Sequence, residues 1–306
     1  MASYNIMGDE GTIDRVRHTA IGQYIQSRLF LGLPIEIIQN TTLNEKFEIN
    51  QKTRITADEK YQAIYFCIGD GGHDQSKTAN QPAITVPVDH DPSDCALYHH
   101  MPFVLRPLNN DLTEPERDRY RLRRIETHHG VQYAAYYARK MTYENTTRIV
   151  LESVNKGVSS VLPYKYTQNN LDPKRPELPV RQVVTASNTK MKVSTGASIV
   201  FDEFDVREYR NVCKIIYGSA RVSVISEMCV VAAVDDTTYT DDKTSQRYPE
   251  LKGATVISFF STYQSMDFSN GGFTEVLELG EKTPLPTNSS IIATVGVNPT
   301  AEGVGG

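Results

Sequence analysis

Apolar residues recur along this chain with two different spacings, and its densest apolar stretch carries both. Between Thr195 and Asp235, a strand-like run from Ala197 to Phe201 precedes Tyr209, Val212, Cys213 and Ile216, which recur at helical spacing with Arg207, Glu208, Arg210, Asn211 and Lys214 between them. Asp205 and Glu208 fit a capping box at the start of that helix, and Gly218 fits its left-handed stop. From Arg221 to Val234 the period becomes two. Val222, Val224, Met228, Val230, Ala232 and Val234 share one face, and Arg221, Ser223, Ile225, Glu227 and Cys229 share the other. The pattern predicts strand, short amphipathic helix, long strand.

The rest of the chain reads in the same way. Ile13 to Leu31 carries an apolar stripe at helical spacing, with Thr12 as N-cap and Gly32 and Pro34 as the stop. Lys46 to Ile55 and Tyr61 to Ile68 alternate as strands. Gly69 to Ser93 is polar and rich in Gly and Asp, a long loop with an edge strand at Ala83 to Val88, and Ala96 to Arg106 follows as a strand.

Arg117 to Met141 predicts a hairpin turning at His129 and Gly130, which pairs His128 with Val131, Glu126 with Tyr133, Arg124 with Ala135 and Leu122 with Tyr137. One of its faces holds Arg121, Arg123, Tyr136 and Lys140. Asn145 to Lys156 has the apolar spacing of a short helix, and Ser159 to Lys192 is extended and Pro-rich, an arm or linker. An acidic, Thr-rich loop follows at Asp235 to Tyr248. Strands are expected at Ala254 to Tyr263, Thr274 to Leu279 and Ser290 to Val297. The fold class is therefore α+β, mainly antiparallel β-sheet with a few short amphipathic helices. Two lobes are expected, 1–160 and 185–306, joined by the Pro-rich segment 161–184.

Bulk properties narrow the function. The chain has 306 residues, a net charge of -5 and no Trp. It has no global attraction for nucleic acid, which is not the expected partner. No apolar run approaches the roughly 20 residues that span a bilayer, and the first residues lack a basic-then-apolar signal, so synthesis in the cytoplasm and no membrane partner are expected. Cys67, Cys95, Cys213 and Cys229 are widely spaced, as buried reduced thiols would be.

Candidate chemistry is sparse. Asp70, His73, Asp74, Asp89, His90, Asp91 and Asp94 are oxygen and imidazole donors within one loop, but their spacing matches no metal signature, and ordinary loop residues account for them better. Asp235, Asp236, Asp241 and Asp242 flank the run Thr237-Thr238-Tyr239-Thr240, yet lack the alternation and central Gly of a calcium loop. The Ser elbow and the phosphate loop are both missing. The basic hairpin face, Arg121, Arg123 and Lys140 beside Tyr136, suits an acidic partner surface, such as the Asp235 to Asp242 loop of a neighbouring subunit. No catalytic, cofactor or metal residue is assigned.

Two stretches, YRLRRIETHHGVQYAAYYARKM and EFDVREYRNVCKIIYGSARVSVISEMCVVAAVD, resemble segments of virion structural proteins of large tailed bacteriophages, of the type that forms neck, collar or tail rings. The resemblance implies a non-enzymatic, multi-copy part of a virion, made in the host cytoplasm, whose partners are copies of itself and other virion proteins. Two alternatives stand beside it: a metal-dependent hydrolase using the Asp70 to Asp94 loop, and a glycan- or receptor-binding module using exposed Tyr such as Tyr136.

Overall fold

The computed structural model describes residues 5–7, 13–51, 54–76, 84–155, 158–175, 189–220, 223–239, 247–266 and 273–285. In chain order the strands are β1 (Asn5–Met7), β2 (Ile13–His18), β3 (Gln62–Gly69), β4 (His73–Ser76), β5 (Ile84–Pro87), β6 (His100–Met101), β7 (Val104–Pro107), β8 (Tyr120–His128), β9 (Val131–Lys140), β10 (Thr142–Asn155), β11 (Val158–Pro163), β12 (Thr189–Phe201), β13 (Val224–Tyr239), β14 (Arg247–Ser265) and β15 (Phe273–Pro284). The α-helices among the described residues are α1 (Ala20–Phe30), α2 (Leu43–Phe47), α3 (Glu114–Arg117) and α4 (Glu203–Tyr217). Strands dominate and the pairings are antiparallel, as the sequence pattern predicts.

Two compact units are drawn from non-consecutive segments. One comprises Met1–Asn5, Tyr143–Ala197 and Leu277–Gly306, and the other Ile6–Thr142 and Ser198–Val276. The divisions thus fall near 6, 143, 198 and 277, and the segment 161–184 expected to join consecutive lobes lies within one unit.

The larger unit is built on an eight-stranded sheet in the order β2-β14-β13-β3-β9-β7, with β6 on β3 and β8 on β9. β13 and β14 form a long hairpin, so residues expected as an acidic loop instead form strand as far as Tyr239 and again from Arg247. Residues 240–246, with Asp241 and Asp242, lie outside the described residues, as does the strand expected at 290–297.

The helix expected from Ile13 to Leu31 begins as a strand and becomes helical only at Ala20. Ile13 to His18 pairs with β14, and Thr19, not Thr12, caps α1: its Oγ1 accepts from Gly22 N at 2.9 Å and donates to Val256 O at 2.7 Å. Ile13 and Val16 fit either period, and the open edge of β14 selects the strand. Ile21 and Ile25 of α1 then pack with Ile35, Ile55, Tyr61, Ala232 and Val234 in one apolar cluster.

The described residues of Lys46 to Ile55 form no strand: α2 takes the first two, and Arg54 makes only an isolated bridge with Glu36. Thr42 and Glu45 form a reciprocal capping box at the start of α2, and Phe47 stacks on Tyr137 with centroids 4.4 Å apart. The expected strand at 96–106 is two short strands, β6 and β7. In α4 the cap lies one turn earlier than expected: Asp202 accepts from Asp205 N, and Asp205 accepts from Asp202 N. Gly218 closes the helix at φ 72°, as its position predicts.

The β8–β9 hairpin pairs His128 with Val131, Glu126 with Tyr133 and Arg124 with Ala135, and turns at His129 (φ 50°) and Gly130 (φ 79°). Both φ values are positive, as a two-residue hairpin turn requires, and Gly130 accepts this without cost.

The smaller unit carries most of a five-stranded sheet ordered β1-β15-β12-β10-β11. Its strand β10 occupies the segment expected as a helix at Asn145 to Lys156. Thr146, Thr147, Ile149, Val150 and Val154 are β-branched, and pairing of Val150 with Pro163 through Asn155 with Val158 favours the strand. Of the Pro-rich segment 161–184, residues 161–175 are described: the first three end β11, and the rest lie mostly at the surface around a short turn at Gln168–Asn170. All four cysteines are free thiols.

Candidate functional site

The charged residues singled out on the β8–β9 hairpin are used inside the chain. Arg121 is only 4% exposed; its Nε donates to Asp235 Oδ1 at 2.9 Å and its Nη1 to the carbonyls of Asp118 and Tyr120. Lys140 Nζ reaches Asp235 Oδ2 at 3.4 Å. Burial pushes the Asp235 carboxyl up, but the Tyr65 hydroxyl, the Arg121 hydrogen bond and the charges of Arg121 and Lys140 outweigh it and hold the group below its ordinary value. Asp236 Oδ2 accepts from Asn50 Nδ2 at 3.0 Å. Arg123 binds Asp111 Oδ2 at 2.9 and 3.2 Å and lies over the Tyr248 ring at 4.3 Å, while Tyr136 donates to Asp111 Oδ1 at 2.7 Å.

The basic face and the acid stretch expected to meet between subunits thus meet within one subunit, at Arg121, Lys140 and Asp235. Tyr136 is 2% exposed, so it offers no platform to a sugar ring, which removes the residue on which the glycan alternative rested. Arg121, Asp235 and Asp236 line a groove of about 650 Å³ with Glu114, Pro115, Asp118, Thr237 and Pro249.

The described residues of the Gly69 to Ser93 segment are ordered into strand and tight contacts, with β5 where the edge strand is expected. The segment contains the β4–β5 hairpin, in which His73 pairs with Pro87 and Ser76 with Ile84. It is fastened to β13 by Glu227, a buried carboxylate. Glu227 Oε1 accepts from His99 N at 2.9 Å and Gly71 N at 3.1 Å. Its Oε2 accepts from Tyr98 N at 3.1 Å and lies 2.9 Å from His90 Nε2. The His90 ring is sandwiched between Tyr98 and Phe259 at 4.0 and 3.9 Å, and its Nδ1 lies 3.1 Å from Asp94 Oδ2. Gly72 comes so close that a Cβ there would sit 2.3 Å from the Ser226 carbonyl oxygen.

Beside this clamp is a more open cluster. His99 Nδ1 lies 2.5 Å from Asp70 Oδ1, and Tyr217 at the end of α4 donates to Asp70 Oδ2 at 2.6 Å. The Asp70 hydrogen bond raises the His99 pKa against the opposing effect of burial. A second buried carboxylate, Glu250, accepts from Leu122 N, Leu251 N and Arg123 N at 2.8, 2.9 and 3.3 Å. Those bonds hold Leu122 at φ 53°, an unusual value for Leu, and burial pushes the Glu250 carboxyl up to about 7.

The Asp and His residues of the segment therefore do not converge. Asp70 serves His99, His90 serves Glu227 and Asp94, and Asp91 accepts from Ser93 N at 2.8 Å. Among the described residues, no group of three or more His, Cys, Asp or Glu is placed to hold a metal ion. Sequence reasoning missed Glu227 and Glu250 as organising groups. The signal was present for Glu227, a single carboxylate inside an apolar strand, where ionised groups occur only with partners.

A family described as a family of unknown function, DUF7208, matches residues 8–294. No curated protein matches the chain. No solved structure matches it either.

Proposed function

We propose that this chain, which belongs to the DUF7208 family, is a non-enzymatic structural subunit that works as one of many copies in a phage virion, in a ring or collar of the neck or tail. The observation that carries this reading is an uncovered apolar ledge at the end of α1 and just beyond it. Leu29, Phe30, Leu31 and Leu33 are all exposed, Phe30 to 90%. Each such side chain gains roughly 1.5–3 kcal/mol on full burial, so four within five residues favour contact with another surface. The titratable groups support the same reading. Glu227, Glu250 and Asp111 hold the fold's own amides, guanidinium and phenol groups, and present no reactive atom to a cleft. Placement in a phage particle rests on the sequence resemblance alone.

No helix among the described residues is long and apolar enough to cross a membrane. The metal-hydrolase alternative loses its support because its donors are dispersed.

Light scattering of the purified full chain over a concentration series tests the proposal. Self-association that is lost in Phe30→Asp/Leu31→Asp, with the Tm unchanged, is the expected result. A chain that stays monomeric at high concentration and does not co-sediment with the other virion proteins would overturn the reading.

A further inference from the structure

The four cysteines play no part in the assembly reading, and two of them have a placement that the sequence alone did not disclose. Cys67 lies on β3 and Cys229 on β13, 162 positions apart in the chain, and the register makes them direct antiparallel partners. Both are free thiols, fully enclosed at the middle of the eight-stranded sheet. We propose that Cys67 and Cys229 are a redox-convertible pair, which a two-electron thiol oxidant of the peroxide class closes into a cross-strand disulfide between β3 and β13.

Directly opposed residues in an antiparallel pair have Cα atoms about 4.5 or 5.5 Å apart, depending on the hydrogen-bonding class of the site. Disulfides take Cα separations of about 4.4–6.8 Å, so either class falls inside the window. Opposed side chains leave the sheet on the same face, with Cβ atoms about 4.5–5.5 Å apart, against about 3.5–4.5 Å in a disulfide. Closure therefore asks for an approach of about 1 Å or less, within a sheet that already bends at register shifts along β13. Cys213 lies on α4, and Cys95 lies in the segment between β5 and β6, so neither shares this pairing.

Hydrogen peroxide supplies the two-electron oxidation. The sulfur of one thiol attacks a peroxide oxygen; the O–O bond breaks, and a sulfenic acid and one water form. The second sulfur then attacks the sulfenic sulfur, the S–O bond breaks, and the departing hydroxyl leaves as a second water with the remaining thiol proton. Two thiols lose two electrons in all and hydrogen peroxide gains them.

Enclosure controls the rate. Burial pushes the Cys229 thiol well above its ordinary value and keeps solvent out, so oxidation of the native chain is slow and follows local opening of the β3–β13 region. The bond would close a long loop through the sheet's central pair, a placement for which the loop-entropy account gives a large stabilisation. The pair would stay reduced in a reducing cell and could close after release into an oxidising medium.

The test is a peptide map of the full-length protein after hydrogen peroxide treatment, with and without mild urea, with remaining thiols alkylated after denaturation. The expected result is a linked peptide containing Cys67 and Cys229, forming faster in urea, with a Tm higher by up to about 10 °C that dithiothreitol reverses. Cys95→Ser should retain the link and Cys67→Ser should abolish it; should Cys67→Ser not fold, the wild-type map still decides. Full alkylation of both cysteines after peroxide treatment, sulfinic acid at either without a link, or a link to Cys95 or Cys213 would each overturn the proposal. None of these readouts depends on whether the chain self-associates, so its failure is distinct from failure of the assembly reading.

Discussion

Replacing Glu227 with Gln tests whether one buried carboxylate holds the Gly69 to His99 segment on the sheet. Gln keeps the shape, removes the charge and substitutes an NH2 group for one of the two acceptor oxygens. If the remaining oxygen stays opposite Gly71 N and His99 N, the NH2 faces Tyr98 N–H and the His90 ring, and at least the Tyr98 bond is lost. Hydrogen bonds to charged groups contribute about 1.5–3 kcal/mol each, and a buried donor left without a partner costs about 1–3 kcal/mol. One lost bond, one orphaned amide and two bonds weakened by loss of charge sum to about 3–5 kcal/mol. At about 2–4 °C per kcal/mol for a unit of this size, the Tm of the larger unit should fall by about 10 °C. Calorimetry reads the shift, and hydrogen exchange should show the Gly71, Tyr98 and His99 amides losing protection before the rest of β13. A Tm within about 2 °C of wild type, with those amides still protected, would refute the clamp.

Glu250 gives a pH prediction of defined sign. Its folded pKa of about 7 lies above the ordinary carboxylate value, so the folded state disfavours ionisation. The group imposes no penalty below about pH 4, and stability falls as pH rises through 7, by a total of about 3 kcal/mol. Glu250→Gln should flatten that slope in urea unfolding between pH 5 and 8; an unchanged slope would count against it. The His99 ring should titrate above its ordinary value by NMR, and Asp70→Asn should bring it back down; a His99 pKa unaffected by the change would show that Asp70 is not the cause. Because His99 binds its proton more tightly when folded, any stability it lends is present at low pH and lost as pH rises through its raised pKa. Gly72→Ala should lower soluble yield and Tm sharply, because the added methyl meets the rigid Ser226 carbonyl; an unaltered Tm would show that β13 yields easily at that point.

Local signals made part of the fold legible. The hairpin register around His129 and Gly130, the body of α4 and its stop at Gly218, and the strand character of β13 follow from residues near one another in sequence, whereas the bulges that break the alternation of β13 do not. Segments whose apolar spacing fits two periods were decided by distant partners: Ile13 and Val16 by the edge of β14, and Ile149 and Val150 by β11. Helix α2 had a local signature in Thr42 and Glu45, overshadowed by the alternation that follows it. The site was less legible than the fold. Arg121, Lys140 and Asp235 were rightly recognised as complementary, but charge alone does not tell whether complementary groups meet across an interface or inside one chain. Glu227 was passed over because its partners, Gly71, His90, Tyr98 and His99, lie more than 120 positions away.

The sheet order also has a consequence for synthesis. β2 and β3 are made early, but the neighbours of β2 and of one edge of β3 are β14 and β13, which end at Ser265 and Tyr239. At about 5–20 residues per second, a ribosome needs roughly 9–34 s to travel from Gly69 to Tyr239, where the partner of β3 is complete. Throughout that interval the nascent chain carries an unzipped apolar edge, a template for wrong pairing between chains on one message. Chaperone occupancy on β3 during translation, and aggregation of truncations ending before Val224, are what such a late-closing architecture entails.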